Sequence, residues 1–249
     1  MANDPMKQFE ITKIFDLPKI GNVDISFTNS SLYMVVAVAL VVGLLSLTLK
    51  RNLIPGRMQS IGELSYEFIA NMLRDTTGPE AMKFFPFVFT IFFFVLFSNL
   101  VGMFPYAFTT TSHLAVTMTL AAFTVGMVMV AGLIKNGFKW FKIFAPAGLP
   151  WPIYFLIVPI EIVSFLSRPI TLGVRLFANM TAGHVMLKLF AIFAAYLIGK
   201  GGLMAAGSVV PVLATMAIIA LEFLVAGLQA FVFAILTCVY LNDVYHVDH

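Results

Sequence analysis

The side chains that could do chemistry sit where charge is costly. Within the apolar run EIVSFLSRPITLGVRLFANMTAGH stand Glu161, Arg168, Thr171, Arg175, Asn179 and His184, and a later apolar run carries Glu222 and Gln229. An arginine at bilayer depth costs roughly 2.5 to 3.5 kcal/mol on insertion scales and stays protonated, so by default it marks a functional site. On a helix turning about 100° per residue, Glu161, Arg168 and Arg175 recur at every seventh position and share one face, with Asn179 a turn beyond Arg175. The alternative for a basic residue is to snorkel to the headgroups. That suits Lys188 and Arg168 better than Arg175, which has apolar turns between it and Lys188.

If the two apolar runs pair antiparallel with Arg175 level with Gln229, His184 falls within about one turn of Glu222. Glu222 and Gln229 are the acid and the amide of their run, so two polar pairs align in one register. An imidazole titrates near neutrality and burial raises a carboxyl toward it, so such a pair can pass a proton; it can also simply lock a hairpin. His184 and Glu222 supply too few ligands for a metal site, since His113, His246 and His249 fall in loop or tail regions, and no metal or cofactor is expected. No Ser/His/Asp set, phosphate loop or CxxC pair is visible. The polar line fits a path for an ion or proton, interrupted at Arg175 by a fixed cation that acts as barrier or counter-ion.

The elements that hold these residues are membrane helices. The chain is 249 residues, 60% hydrophobic and only 11% charged, far below the charge of soluble domains. Its apolar runs of about 18 to 25 residues are too long for barrel strands, which predicts an all-α integral membrane protein of about five membrane helices. The net charge of +3 comes with no basic run, and no nucleic-acid partner is expected. Cys238 is alone, which excludes an internal disulfide and favours a small core residue. The amino-terminal tail, residues 1–27, mixes both charge signs and lacks an apolar core, so a cleaved leader is not expected.

Taken in order, a first span from Leu32 to Leu49 is closed by Lys50, Arg51 and Arg57, which places that end in the cytoplasm and the tail outside. Residues 57–75 repeat Met58, Ile61, Leu64, Phe68, Ile69 and Leu73 at threes and fours and predict an amphipathic helix on or in the inner face. A phenylalanine-rich span, Phe84 to Phe104, returns outward. Tyr106 to His113 lacks Lys and Arg, as an outer loop should. The span Leu114 to Ile134 comes back in and ends at Lys135, Lys139 and Lys142, with Trp140 and Trp151 at an interfacial level. Residues 152–241 form a long hairpin about the glycine-rich GKGGLMAAGS. Its first arm would be about 69 Å long as one helix, against a hydrocarbon core of about 30 Å. It must break, with Pro159, Pro169 and Gly173 as candidates, or lie strongly tilted.

TLGVRLFANMTAGH resembles the signature of subunit a of the rotary F-type ATP synthase, and LQAFVFAILTCVYLND resembles that family's carboxy-terminal helix. NLVGMFPY and the TSH of the outer loop are similar too, so the likeness covers most of residues 25–243. The resemblance implies a stator subunit, not itself a nucleotide enzyme, that carries protons to and from a rotor ring of c subunits during ATP synthesis. It implies that Arg175 faces the rotor carboxylate, that Asn179 and Gln229 flank it, and that His184 and Glu222 form the exchanging pair of an outer half-channel. Glu161 and Thr171 match positions on the inner half-channel wall, and Arg168 lies on the same polar line. Peripheral-stalk b-type subunits and the lipid bilayer are the other implied partners, and the bacterial inner membrane is preferred over the mitochondrial one. The competing reading is a stand-alone secondary transporter with a charged midplane site, against which stands the lack of an internal repeat. A membrane scaffold with structural polar pairs is the third.

The charge asymmetry makes a direct prediction. In a Cys238→Ala background, a membrane-impermeant maleimide should label Met6→Cys in right-side-out vesicles and Lys142→Cys only in inverted ones. The opposite pattern would reverse the orientation.

Overall fold

The computed structural model describes residues 9–15, 26–48, 56–104, 107–144 and 151–245. Lys50, Arg51, Tyr106, His246 and His249, the tail residues 1–8 and 16–25, and the side chains of Lys139 and Trp151 lie outside that description. Among the described residues a two-stranded antiparallel ribbon, β1 (Lys13–Phe15) and β2 (Phe27–Thr28), precedes seven α-helices. These are α1 (Asn29–Thr48), α2 (Arg57–Thr77), α3 (Phe85–Gly102), α4 (Leu114–Asn136), α5 (Trp151–Lys200), α6 (Gly202–Gly207) and α7 (Val209–Tyr245). Among the described residues five helical segments are long and apolar enough to cross a membrane: Asn29–Thr48, Pro79–Gly102, Leu114–Asn136, Ile153–Lys200 and Met204–Tyr245. The chain is an all-α membrane protein, as its composition requires, with the short amino-terminal ribbon as an addition that the tail's sequence did not announce.

The chain divides into two compact units. One comprises Met1–Leu40, Leu96–His113 and Leu176–Gln229; the other comprises Val41–Val95, Leu114–Arg175 and Ala230–His249. In the first unit the ribbon is tied to the start of α1. Asn29 Nδ2 donates to the Glu10 carbonyl at 3.0 Å, and Asn29 Oδ1 accepts from Ser30 N at 2.9 Å and Thr12 N at 3.2 Å. Thr28 Oγ1 takes Ser31 N, so the first free N–H groups of an apolar helix are satisfied by side chains.

The second unit holds the main apolar core, built from Ile69, Leu73, Val88, Ala234, Cys238 and Leu241. Helix α2 starts after the extended Gly56 and stops at Gly78, whose φ of 93° is the left-handed end that a glycine permits; Pro79 follows as the first residue of a 3-10 turn leading into α3. The predicted amphipathic stripe of α2 divides in two. Ile69 and Leu73 enter the core, whereas Met58, Ile61, Leu64 and Phe68 remain exposed for lipid or another chain. Thr77 Oγ1 donates to the Cys238 carbonyl at 3.0 Å and fixes α2 to α7. Cys238 is a fully buried free thiol in that core.

Trp140 is buried, with its ring edge-on to Phe144 and Phe165 at centroid distances of 5.4 and 5.9 Å, because the 3-10 segment Gly137–Phe144 folds it back against α4 and α5. Helix α5 settles the choice between a break and a continuous arm. It runs unbroken for 50 residues, about 75 Å, with Pro159 and Pro169 inside it. Near Pro169 the hydroxyls of Ser167 and Thr171 turn back onto carbonyls of the same helix, those of Ser164, Ser167 and Arg168. Gly173 is a contact point rather than a hinge: a Cβ there would lie 2.7 Å from Met118 Sδ and 3.1 Å from the Thr117 carbonyl. Gly201 and Gly202, at φ of 69° and 57°, turn the chain toward α7. In the most apolar window of α5 only 6% of residues are buried, so most of this helix must be covered by lipid or by other chains.

The tightest packing in the second unit is at Gly132, where a Cβ would collide with Val244 Cγ1 and lie 2.8 Å from the Trp140 ring. Gly132→Ala should therefore destabilise the detergent-solubilised protein by about 1–3 kcal/mol, read as a lower unfolding midpoint. An unchanged midpoint would mean that the Val244–Trp140 contact yields freely.

Candidate functional site

Each unit carries part of the polar line. In the first, α5 and α7 run antiparallel and meet through polar side chains. Asn179 Nδ2 donates to Gln229 Oε1 at 2.8 Å. Four residues on along α5, and seven back along α7, Gly183 lies directly against the Glu222 carboxylate, whose Cδ would be 3.0 Å from a Cβ at that position. Gln229 thus bonds Asn179, one turn beyond the residue with which it was expected to be level, while Glu222 falls within a turn of His184 as expected. Small residues make this approach possible, since any side chain at position 183 would occupy the place of the carboxylate.

Glu222 is only 7% exposed, and neither of its oxygens has a hydrogen-bond partner among the described residues. Gln229, at 2% exposure, uses its oxygen for Asn179 while its Nε2 finds no partner among the described residues. A carboxylate left in that state costs much unless it is protonated or meets water or a mobile ion. Both Glu222 and His184 line an open cavity of about 1160 Å³ in the same unit, with Glu10, Tyr33, Lys188 and Thr215 also on its wall. His184 does not hydrogen-bond Glu222 in this arrangement; its Nε2 lies 3.1 Å from Thr109 Oγ1.

The loop and helix end that face this cavity bring in residues that the spacing argument did not single out. Asn99, fully buried in α3, takes the Thr111 hydroxyl on Oδ1 at 2.9 Å and directs Nδ2 to the Ala226 carbonyl at 3.5 Å. Thr181 Oγ1 reaches the Ser112 carbonyl at 3.4 Å. The signal for Asn99 was available, as an amide inside a phenylalanine-rich span is itself unusual. Nothing in the spacing pointed to Thr109 or Thr111, whose contacts are made across more than one loop. His113 stacks on Phe108 at a centroid distance of 5.0 Å. Burial pushes its proton affinity below that of a free imidazole, against a smaller opposing effect of the Phe9 backbone, so it stays neutral further into the acid range.

The second unit holds Glu161, Arg168, Thr171 and Arg175 on α5. Arg168 is not free. Its Nη1 pairs with Asp243 Oδ2 at 2.9 Å, and its guanidinium sits between the rings of Phe165 and Tyr240 at 5.4 and 4.9 Å. Asp243 stands near the end of α7, outside the polar pairs that the sequence suggested. The Thr171 hydroxyl is bound by carbonyls of its own helix, Ser167 and Arg168, both at 3.0 Å. Glu161 is half-buried. Arg175 is exposed in the middle of α5, and among the described residues no carboxylate forms an ion pair with it.

Comparison with known proteins adds to this geometry. The family model described as ATP synthase A chain matches residues 31–242. The chain is 59% identical over 249 residues to ATP synthase subunit a of Hyphomonas neptunium, covering all of this chain and 98% of that one. It is 55% identical to the proteins of the same name from Rhodopseudomonas palustris and Chelativorans sp., over the full length of both partners in each comparison.

The Gly183–Glu222 contact is open to test. Gly183→Ala should drive the carboxylate away from α5, so that modification of Glu222 by a hydrophobic carbodiimide, followed by mass spectrometry, changes in rate. An unaltered rate would mean that the helices separate instead and that Glu222 keeps its place.

Proposed function

The chain belongs to the ATP synthase A chain family, whose members are non-catalytic components of the membrane sector, and we propose that its two polar clusters are offset proton half-channels separated by Arg175. It is a multi-pass membrane protein and the stator component of that sector. Its relatives are bacterial, and the inner membrane of a bacterium is the proposed location.

The observation that carries the reading is the contrast between the arginines of α5. Arg168 has an acid of its own chain at 2.9 Å, whereas Arg175 is exposed along an apolar helix with no carboxylate of the described residues paired to it. A permanent cation at that depth calls for a counter-ion, and the proposed one is the carboxylate of each c subunit as the rotor ring passes. An opposite charge within about 4 to 6 Å stabilises the ionised carboxylate, so it favours release of the rotor's proton at Arg175. The same charge repels a free proton, which keeps the two half-channels from short-circuiting.

The outer half-channel is assigned to the cavity shared by His184 and Glu222. Glu222 fits the exchanging role because its oxygens are buried without hydrogen-bond partners among the described residues, and a group held that way takes up and gives back protons through water. Asn179 and Gln229 are proposed to orient the region beside the arginine, their mutual bond leaving Gln229 Nε2 available. Glu161 and Thr171 are assigned to the inner half-channel. Arg168, locked to Asp243, is proposed to shape that wall electrostatically rather than to carry protons. The exposed apolar faces of α5 and α7 are the proposed seat of the c ring, and the exposed half of α2 with α1 is proposed to meet the b-type subunits of the peripheral stalk.

In vesicles containing the whole complex, Arg175→Ala should lower ATP-driven proton pumping by about a hundred-fold, the scale of losing a preorganised charge. Arg175→Lys should retain more of the barrier, because it keeps a cation but not the guanidinium's fixed fork. Passive leak should rise in the alanine variant. Near-normal pumping with alanine in an assembled complex would leave Arg175 a structural residue.

A further inference from the structure

Thr109 stands in the outer loop, just ahead of the 3-10 turn Thr110–Ser112, and is almost entirely buried. Its hydroxyl makes two contacts at once, one to the Gly102 carbonyl at 3.2 Å and one to His184 Nε2 at 3.1 Å. A threonine hydroxyl has a single proton to donate and lone pairs to accept with, whereas a carbonyl can only accept. For both bonds to form, the hydroxyl proton must go to Gly102, and the imidazole must be the donor in the second bond. His184 is then protonated on Nε2 whether the ring is neutral or charged, and the proton that comes and goes does so at Nδ1.

We propose that Thr109 is the positioning residue for His184, holding it as the Nε2–H tautomer so that proton exchange with the cavity takes place through Nδ1 alone. This deepens the half-channel reading and rests on it for its functional part; the tautomer itself does not depend on that reading. The step balances simply. Neutral His184 takes a proton at Nδ1 from the outer side and becomes imidazolium, then returns that same proton from Nδ1 to an acceptor such as the Glu222 carboxylate, while the other proton stays on Nε2, donated to Thr109 Oγ1. The charged groups on the same cavity wall are Glu10, Lys188 and Glu222.

The surroundings hold Thr109 in this role. Gly102 has no side chain to interfere: a Cβ there would lie 2.7 Å from Thr109 Cγ2 and 2.9 Å from its Oγ1, so the hydroxyl reaches the carbonyl only because residue 102 is glycine. The Thr109 carbonyl accepts both the Ser112 hydroxyl at 2.6 Å and the Ser112 N–H at 3.2 Å. Ser112 in turn accepts from Thr181, three residues before His184 on α5. The loop and the imidazole are thus fastened within one turn of the same helix. A ring whose second nitrogen is tied to a fixed oxygen has one orientation and one tautomer, the arrangement that orients histidines in other proton-transfer and ligand sites.

The test uses the whole complex in lipid vesicles with histidine labelled with 15N, its His184 signals assigned by their loss in His184→Gln. At a pH where the ring is neutral, the nitrogen shifts should report a single Nε2–H tautomer. Thr109→Val should leave a mixture of tautomers and lower ATP-driven pumping by about ten-fold. Thr109→Ser, which restores the hydroxyl, should return both to near the starting values. An Nδ1–H ring in the unaltered complex would overturn the proposal, as would a valine variant that keeps the Nε2–H tautomer and full pumping. If the valine variant fails to assemble, the tautomer of the unaltered complex decides. Normal pumping by His184→Gln would remove the half-channel role while leaving the tautomer measurement to stand or fall by itself.

Discussion

Hydrocarbon offers no hydrogen-bond partner, and this constraint shapes every polar group in the chain. Most are satisfied at once by their own helix. The hydroxyls of Thr90, Thr119, Thr124, Thr215 and Thr237 each return to a carbonyl four residues back. Others are satisfied across helices, as with Asn179 and Gln229, Thr77 and the Cys238 carbonyl, and Asn136 Nδ2 on the Val244 carbonyl at 2.7 Å. A small remainder has no such answer among the described residues. The carboxylate of Glu222, the Nε2 of Gln229 and the guanidinium of Arg175 stand out against that background, and the proposed proton path is made of them.

Close approach is the second requirement, and glycine supplies it. Without the hydrophobic effect between helices in lipid, association relies on packing and on polar contacts, both of which strengthen as backbones come nearer. Gly132, Gly173 and Gly183 each admit a neighbour where a methyl would strike Val244, Met118 or Glu222. At Gly183 the admitted neighbour is a carboxylate rather than an apolar side chain. Packing and chemistry meet at that position, because the residue that lets α5 and α7 approach also determines where the acid lies.

The charges of α5 divide by their partners. Arg168, with Asp243 and two aromatic rings around it, has its charge compensated inside the chain. Under the proposed role Arg175 is compensated by a different subunit, and only while a rotor carboxylate faces it. A cation already paired internally would attract a passing acid less, so the lack of a paired carboxylate among the described residues is what suits Arg175 to the proposed role. Large apolar side chains exposed along the same helix, among them Leu166, Ile170 and Val174, fit a surface that another chain or lipid must cover.

Composition alone determined that the chain is helical and membrane-bound, since an apolar run too long for a barrel strand leaves the backbone no other way to satisfy itself. Periodicity and spacing placed Arg175, Asn179 and His184 on one helix and brought His184 within a turn of Glu222, because a fixed rise and turn per residue convert sequence distance into position, but the partner of Gln229 is Asn179, a turn from the one that matching suggested. Whether Pro159 and Pro169 would break α5 was not legible, for a proline removes one backbone bond and the rest of the helix decides whether the chain continues through it. The burial of Trp140, the pairing of Arg168 with Asp243 and the bond from His184 to Thr109 were likewise decided by tertiary structure. The two polar contacts join residues 75 positions apart, and no local pattern encodes which of many polar groups will be brought within hydrogen-bond reach.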